Sequence, residues 1–168
     1  MIAALLFATS VINFSCKSDD DGGGGGSAAP GKITAKIDGS NFESIEMTTT
    51  ATLTNGVLMV MGNDGGQNPN RAIQLQIMGF DGEGTYPVGG DGNIFNLANY
   101  IETNVSNPTD PRTWSAPYDE NLAGQIKVSE INDDFVKGTF HFEAKNPNDG
   151  SMRNITEGSF NIGLTNIP

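Results

Sequence analysis

From Ile33 to Leu164 the apolar residues of this chain recur at every second position, and most such runs end in a Gly or Asx pair. A period of two puts alternate side chains on opposite faces of a pleated strand, whereas an amphipathic helix needs a period near 3.6. Ile33, Ala35 and Ile37 alternate up to Asp38-Gly39, and Ile73, Leu75 and Ile77 alternate up to Asp81-Gly82. Ile126 and Val128 continue the pattern, then Val136, Gly138, Phe140, Phe142 and Ala144 run to a turn at residues 146–150, and Phe160, Ile162 and Leu164 close the series. Residues 47–54 and 57–61 flank Asn55-Gly56, the pair favoured in a two-residue type I′ hairpin because both central residues need positive φ. Residues 57–61 are apolar throughout, which predicts a central strand covered on both faces. Residues 94–102 read as a further strand, and Asn107-Pro108-Thr109-Asp110 reads as a β-turn that folds Arg112-Thr113-Trp114 back against it. The expectation is an all-β chain, a single antiparallel β-sandwich of about 8 to 10 strands, with a calycin-like barrel as the alternative.

Ahead of this pattern, residues 1–15 form an apolar run that ends in Ser15-Cys16, the chain's single cysteine. As a helix that run would span roughly 22 Å, short of the ~30 Å hydrocarbon core, so it reads as the apolar part of a signal peptide. Serine directly before cysteine is the arrangement a lipoprotein signal peptidase uses, and Cys16 would then carry the lipid. Residues 17–31 are Gly, Ser, Asp, Ala and Pro with one Lys, a composition with nothing to bury. Such a segment behaves as a flexible tether with an r.m.s. reach of roughly 20 Å. The expected division is therefore residues 1–15 as signal peptide, 16–31 as acylated cysteine and tether, and 32–168 as the β-domain.

The segment Ser15-Cys16-Lys17-Ser18-Asp19-Asp20-Asp21-Gly22 resembles the start of many Bacteroidetes lipoproteins of flavobacterial type. In those, a short acidic run after the acylated cysteine resembles the tag that directs export to the outer face of the outer membrane. That resemblance implies an export tag at Ser18, Asp19, Asp20 and Asp21 and an outer-membrane, lipid-anchored location. The domain also resembles an uncharacterised family of Bacteroidetes lipoprotein domains of unknown function. The likeness rests on Ala35-Lys36-Ile37-Asp38-Gly39 with Phe42, on Gly84-Thr85-Tyr86, on Gly124-Gln125-Ile126, on Gly138-Thr139-Phe140-His141-Phe142 and on Thr156-Glu157-Gly158-Ser159-Phe160. These are strand starts, turns and inward aromatics, so the resemblance implies a fold and no catalytic residue.

The formal net charge is -11, and residues 32–168 hold all of it but the contribution of Lys17 and the three aspartates 19–21. A body this acidic repels phosphate backbones and anionic headgroups, which argues against nucleic acid and leaves membrane attachment to the lipid on Cys16.

Catalytic patterns are sparse. The chain has no Gly-x-Ser-x-Gly elbow and no phosphate-cradling Gly-x-x-x-x-Gly-Lys, and its one histidine, His141, falls on the outward face of its strand. Asp119-Glu120 and Asp133-Asp134 sit beside turn signals, where adjacent strand positions would point apart. Asp64, Asp81, Glu83, Asp91 and Asn93 lie in glycine-rich loops and offer oxygen ligands for a structural calcium, without the spacing of a recognised calcium loop. No catalytic or metal residue is therefore assigned, and no cofactor is expected beyond that calcium.

Residues 103–123 carry the single tryptophan, Trp114, with Tyr118 and three prolines. Rigid aromatics on proline-stiffened loops suit binding, so Trp114 and Tyr118 are the candidate ligand residues; the alternative for Trp114 is a packing role beside Tyr100. The combined expectation is a non-enzymatic surface module that binds a glycan, peptide or envelope partner. A barrel carrying a small apolar ligand and a hydrolase are the alternatives.

Overall fold

The computed structural model describes residues 27–91 and 93–167. The elements, in chain order, are β1 (Lys32–Ile37), β2 (Ser40–Glu43), a single 3-10 turn (Glu46–Thr48), β3 (Thr50–Thr54), β4 (Val57–Asn63), β5 (Asn70–Met78) and β6 (Gly84–Gly89). They continue as β7 (Leu97–Asn104), β8 (Asn107–Ala116), β9 (Leu122–Ile131), β10 (Phe135–Lys145) and β11 (Met152–Ile167). The class is all-β, as the period of two requires.

One 11-stranded sheet runs β2-β1-β11-β3-β4-β5-β7-β8-β10-β9-β6, and β10 also pairs with β11. That extra pairing makes the sheet fold back on itself. One wall is β2-β1-β11-β10-β9-β6, the other is β3-β4-β5-β7-β8, and the two meet where β11 reaches β3 and where Lys145 of β10 pairs Ser115 of β8. The result lies between the sandwich and the barrel of the sequence reading.

The sheet is not wholly antiparallel. β11 is 16 residues long and β1 is 6, so the last residues of β11 outrun β1 and pair with β3 in parallel, Leu164 opposite Ala51. The Asn55-Gly56 hairpin forms as read, and the Asp38-Gly39 turn also closes a hairpin, β1 to β2, with φ of 48° and 81° at Asp38 and Gly39 and 49° and 74° at Asn55 and Gly56. Positive φ at both central residues matches the right-handed twist of the flanking strands.

Inward positions hold the core: Ile33, Ala35 and Ile37 of β1, Ile73, Leu75 and Ile77 of β5, Phe140, Phe142 and Ala144 of β10, and Ile155, Phe160 and Ile162 of β11 are all buried. Burying each of the larger side chains contributes about 1.5–3 kcal/mol, and the aromatic rings of Phe140 and Phe160 stack with centroids 6.4 Å apart.

Three local expectations change. Residues 57–61 are not covered on both faces: Leu58 and Val60 are buried, but Met61 is 41% exposed, so β4 has one solvent-facing side. Apolar content at every position marks packing on both faces only when a second layer exists, and none lies over the outer side of Met61. The expected turn at 107–110 is strand; the chain turns at Val105-Ser106, where the Ser106 amide donates to the Asn104 side chain at 2.9 Å. β7 starts at Leu97, so Ile94 and Phe95 fall in the preceding loop. The tether's last part is also docked: Ala28 is buried, and its amide donates to the Ser159 hydroxyl at 2.8 Å.

Candidate binding surfaces

Cys16, Ser18, Asp19, Asp20 and Asp21 lie outside the described residues. Of the two aromatic candidates, Trp114 and Tyr118, the first is a core residue. Trp114 is fully buried, directly opposite Tyr100 in the β7–β8 register, with ring centroids 5.4 Å apart and its indole N–H donating to the Ser151 hydroxyl at 2.9 Å. An exposed ledge therefore cannot include Trp114. Its inward parity on β8 decides this: two residues from the buried Ala116, it had to face the same way.

What covers Trp114 is a cluster of ions at one end of the fold. The inward rows that hold Ile73, Tyr100, Trp114 and Ile155 each continue by two residues to Arg71, Glu102, Arg112 and Arg153. The three arginines among them are all the arginines of the chain. The guanidinium carbons of Arg112 and Arg153 lie 4.8 Å and 4.5 Å from the Trp114 ring centroid. Arg112 donates to Asp149 at 3.0 Å, Arg153 lies 3.5 Å from Asp38, and both guanidiniums stand within 3.9 Å of Glu102. The Tyr100 hydroxyl donates to Glu102 at 2.8 Å; burial first, and then this carboxylate, push the Tyr100 pKa up. Arginine suits this position because its flat, weakly hydrated head packs on an aromatic face while its N–H groups still reach carboxylates.

Beside that cluster a cleft of about 540 Å³ opens between the β1–β2 hairpin and the ends of β4 and β5, lined by Thr34, Lys36, Asn41, Glu43, Asp64, Arg71 and Glu157 over Phe42. Asp64 accepts hydrogen bonds from the Gly66 and Arg71 amides, each at 2.9 Å, and from the Arg71 Nε at 2.6 Å. Burial acts to raise the Asp64 pKa, but these donors outweigh it and hold the carboxyl below its ordinary value.

At the other end of β5 two loops meet. Gly90 donates its amide to the Asn121 carbonyl at 3.1 Å, and Gly89 approaches so closely that a Cβ there would fall 2.4 Å from the same oxygen. Only glycine fits at that point, and its φ of 78° fits glycine as well. Asn93 and Asn96 each donate a side-chain amide to the Pro87 carbonyl at 2.9 Å, while the Asn96 side chain accepts from the Met78 amide at 3.2 Å. Asn96 is itself buried, so it ties β6 to β5 where no strand pairing does. The loops so braced expose Ile94 (70%), Phe95 (59%) and Tyr118 (36%), and Leu122 at the start of β9 is exposed beside them (63%). Tyr118 donates to Glu143 at 2.5 Å, a bond that, with some burial, lifts its pKa to about 12. Tyr118 is exposed, as is Leu122 within the same stretch 103–123, and Ile94 and Phe95 are the exposed residues that the sequence placed in a strand instead. For Ile94 and Phe95 the available signal was the run Gly89-Gly90-Asp91-Gly92 just ahead of them, a cluster of turn-forming residues that marks a loop.

The other sequence candidates stay apart. His141 is exposed on the outer face of β10, and the Asp119-Glu120 and Asp133-Asp134 pairs are exposed in turns. Of the calcium candidates, Asp64 is engaged by Arg71, Asp81 accepts from the Tyr86 hydroxyl at 2.8 Å, and Asn93 is bound to Pro87; among the described residues no three His, Cys, Asp or Glu side chains converge on a metal position.

Searches among curated proteins and among solved structures returned no match. Residues 30–163 match a family model described as Domain of unknown function (DUF6252), a stretch that runs from just before β1 into β11. The chain belongs to that family.

Proposed function

We propose that this chain is a lipid-anchored, non-enzymatic binding module of the outer cell surface, and that it holds an envelope protein through the braced loops bearing Ile94, Phe95 and Tyr118, together with Leu122 beside them. The carrying observation is the exposure of four large side chains close together, Ile94, Phe95 and Tyr118 on two loops joined by the Gly90–Asn121 bond and Leu122 at the start of β9, with the first loop tied to Pro87 by Asn93 and Asn96. Rigid, exposed apolar groups are a hallmark of docking faces, because ordering them on contact costs little further entropy. The aliphatic Ile94 and Leu122 favour an apolar protein surface over a sugar ring, which stacks on flat aromatic faces. The anchor would be the lipid on Cys16, with Ser18, Asp19, Asp20 and Asp21 as the export tag and a Bacteroidetes-type outer membrane as the site. These assignments rest on the sequence resemblance.

The test is a pull-down from solubilised envelope with the wild-type chain and with Phe95→Ser/Leu122→Ser. The variant should keep its thermal melt and lose a partner the wild type retains. An unchanged set of retained proteins would overturn the docking role of these loops.

A further inference from the structure

The cleft at the far end of β5 from those loops holds an arginine built for recognition. Arg71 is fixed three ways: its Nε donates to Asp64 at 2.6 Å, its backbone amide donates to the same carboxylate, and its guanidinium carbon stands 5.7 Å from the centroid of the buried Phe42 ring. Among the described residues its two terminal nitrogens have no hydrogen-bond partner, and Arg71 lines the cleft. The other two arginines, by contrast, each contact two carboxylates. An oriented guanidinium with an open pair of N–H groups is the natural partner of a carboxylate, which it grips with two parallel bonds. The remaining lining supplies the Thr34 hydroxyl, the Asn41 amide, the Lys36 ammonium and the exposed Glu43 and Glu157 carboxylates, a mixture suited to ligand hydroxyl groups. The three carboxylates of the lining outnumber its two cations, and Lys36 is already paired with Glu157 at 2.8 Å, so among the lining residues the open N–H pair of Arg71 is the one place left to receive a carboxylate. A volume of about 540 Å³ lies within the ordinary range for small-ligand sites.

We propose that this cleft binds a sugar acid, a hydroxylated ring carrying one carboxylate per unit such as the uronic acid of an acidic polysaccharide, with Arg71 as the carboxylate receptor and Asp64 as its positioning residue. The site is separate from the docking loops: Arg71 and Met78 are the two ends of one strand, about 23 Å apart at the usual rise per residue. A ligand here leaves Phe95 and Leu122 free.

The test is calorimetric titration of the full chain at pH 7 with an oligogalacturonate, with the same oligosaccharide methyl-esterified, and with a short peptide bearing a free C-terminal carboxylate. The free acid should bind and its ester should not. Arg71→Lys keeps the charge but loses the paired donors, and should weaken binding about tenfold or more; Asp64→Asn should also weaken it, and Phe95→Ser should leave it unchanged. Amide signals of Thr34, Asn41 and Gly66 in the wild-type chain should shift on titration, a readout that needs no variant to fold. Equal binding of acid and ester, binding of the peptide alone, no binding of the acid at millimolar concentration, or shifts confined to residues 93–95 and 117–122 would each overturn the proposal. The last result would leave the docking role standing.

Discussion

Trp114 on β8 and Tyr100 on β7 face each other across the strand pair, both buried, and both reach out of the core through a polar tip: indole N–H to Ser151, phenol O–H to Glu102. The pair is the boundary between an apolar interior and the arginine cluster above it. Trp114→Ala removes the surface on which Arg112 and Arg153 rest, and should cost about 3–5 kcal/mol of stability. Tyr118→Ala, on the exposed loop, should cost less than about 1 kcal/mol. Urea denaturation of the two variants checks this, and equal, small losses would contradict the burial of Trp114.

The chain's three tyrosines give a second check. All have raised pKa values: Tyr86 by burial and then Asp81, Tyr100 by burial and then Glu102, and Tyr118, to about 12, by its bond to Glu143 and then burial. A folded pKa above the unfolded one means that the protonated form is favoured by the fold. The stability this brings is complete below the unfolded value of about 10, and is lost as pH rises through the folded values. Ultraviolet titration of the folded chain should show tyrosinate appearing later than in the urea-unfolded chain, and Tyr118→Phe should remove the step near 12. Coincident curves would contradict these contacts.

Acid acts on the opposite end. The Ser151 hydroxyl and amide, and then Arg112, hold Asp149 down to about 2, and Asp64 is held low by its donors against the effect of burial. A depressed carboxyl contributes stability above its unfolded pKa of about 3.9 and loses it as pH falls through the folded value. Carboxyl carbon NMR should show Asp149 ionised at pH 4 and Asp64 titrating below its ordinary range, and Asp149→Asn should abolish the step near 2. Ordinary titration of both at about 3.9 would contradict the ion cluster.

The strand pattern was legible because the period of two is imposed by the backbone: Ile33, Ile73, Phe140 and Phe160 point inward as their spacing requires. The hairpin at Asn55-Gly56 was legible because few other residue pairs accept its dihedrals. Which exposed face is covered was not legible, since that depends on whether a second layer reaches it; Met61 shows the difference. The closure of the sheet rests on one β8–β10 pair and on the overhang of β11, contacts between distant segments with no local signature. For the surfaces, the sequence left Trp114 open between a ligand residue and a packing residue beside Tyr100, and the fold decides for packing, because an aromatic beside prolines looks the same whether its strand parity turns it in or out. Arg71 gave no signal at all, as its partners Asp64 and Phe42 are remote positions brought together by the fold.

The anchor has its own test. Cys16→Ser should move the domain from the membrane fraction to the soluble one with an unchanged fold. Replacing Asp19, Asp20 and Asp21 by alanine should leave it lipidated but shielded from protease added to intact cells. Membrane retention of the serine variant would refute lipidation at Cys16, and undiminished protease access after the alanine changes would reduce the acidic run to a spacer.

The docking role of the braced loops is tested most directly by photocrosslinking on intact cells, with a photoreactive residue placed at Phe95 in one variant and at His141, exposed on the outer face of β10, in another. An envelope-protein adduct formed from position 95 and not from position 141 is the expected result. Adducts from both positions alike, or from neither, would contradict a partner held on these loops.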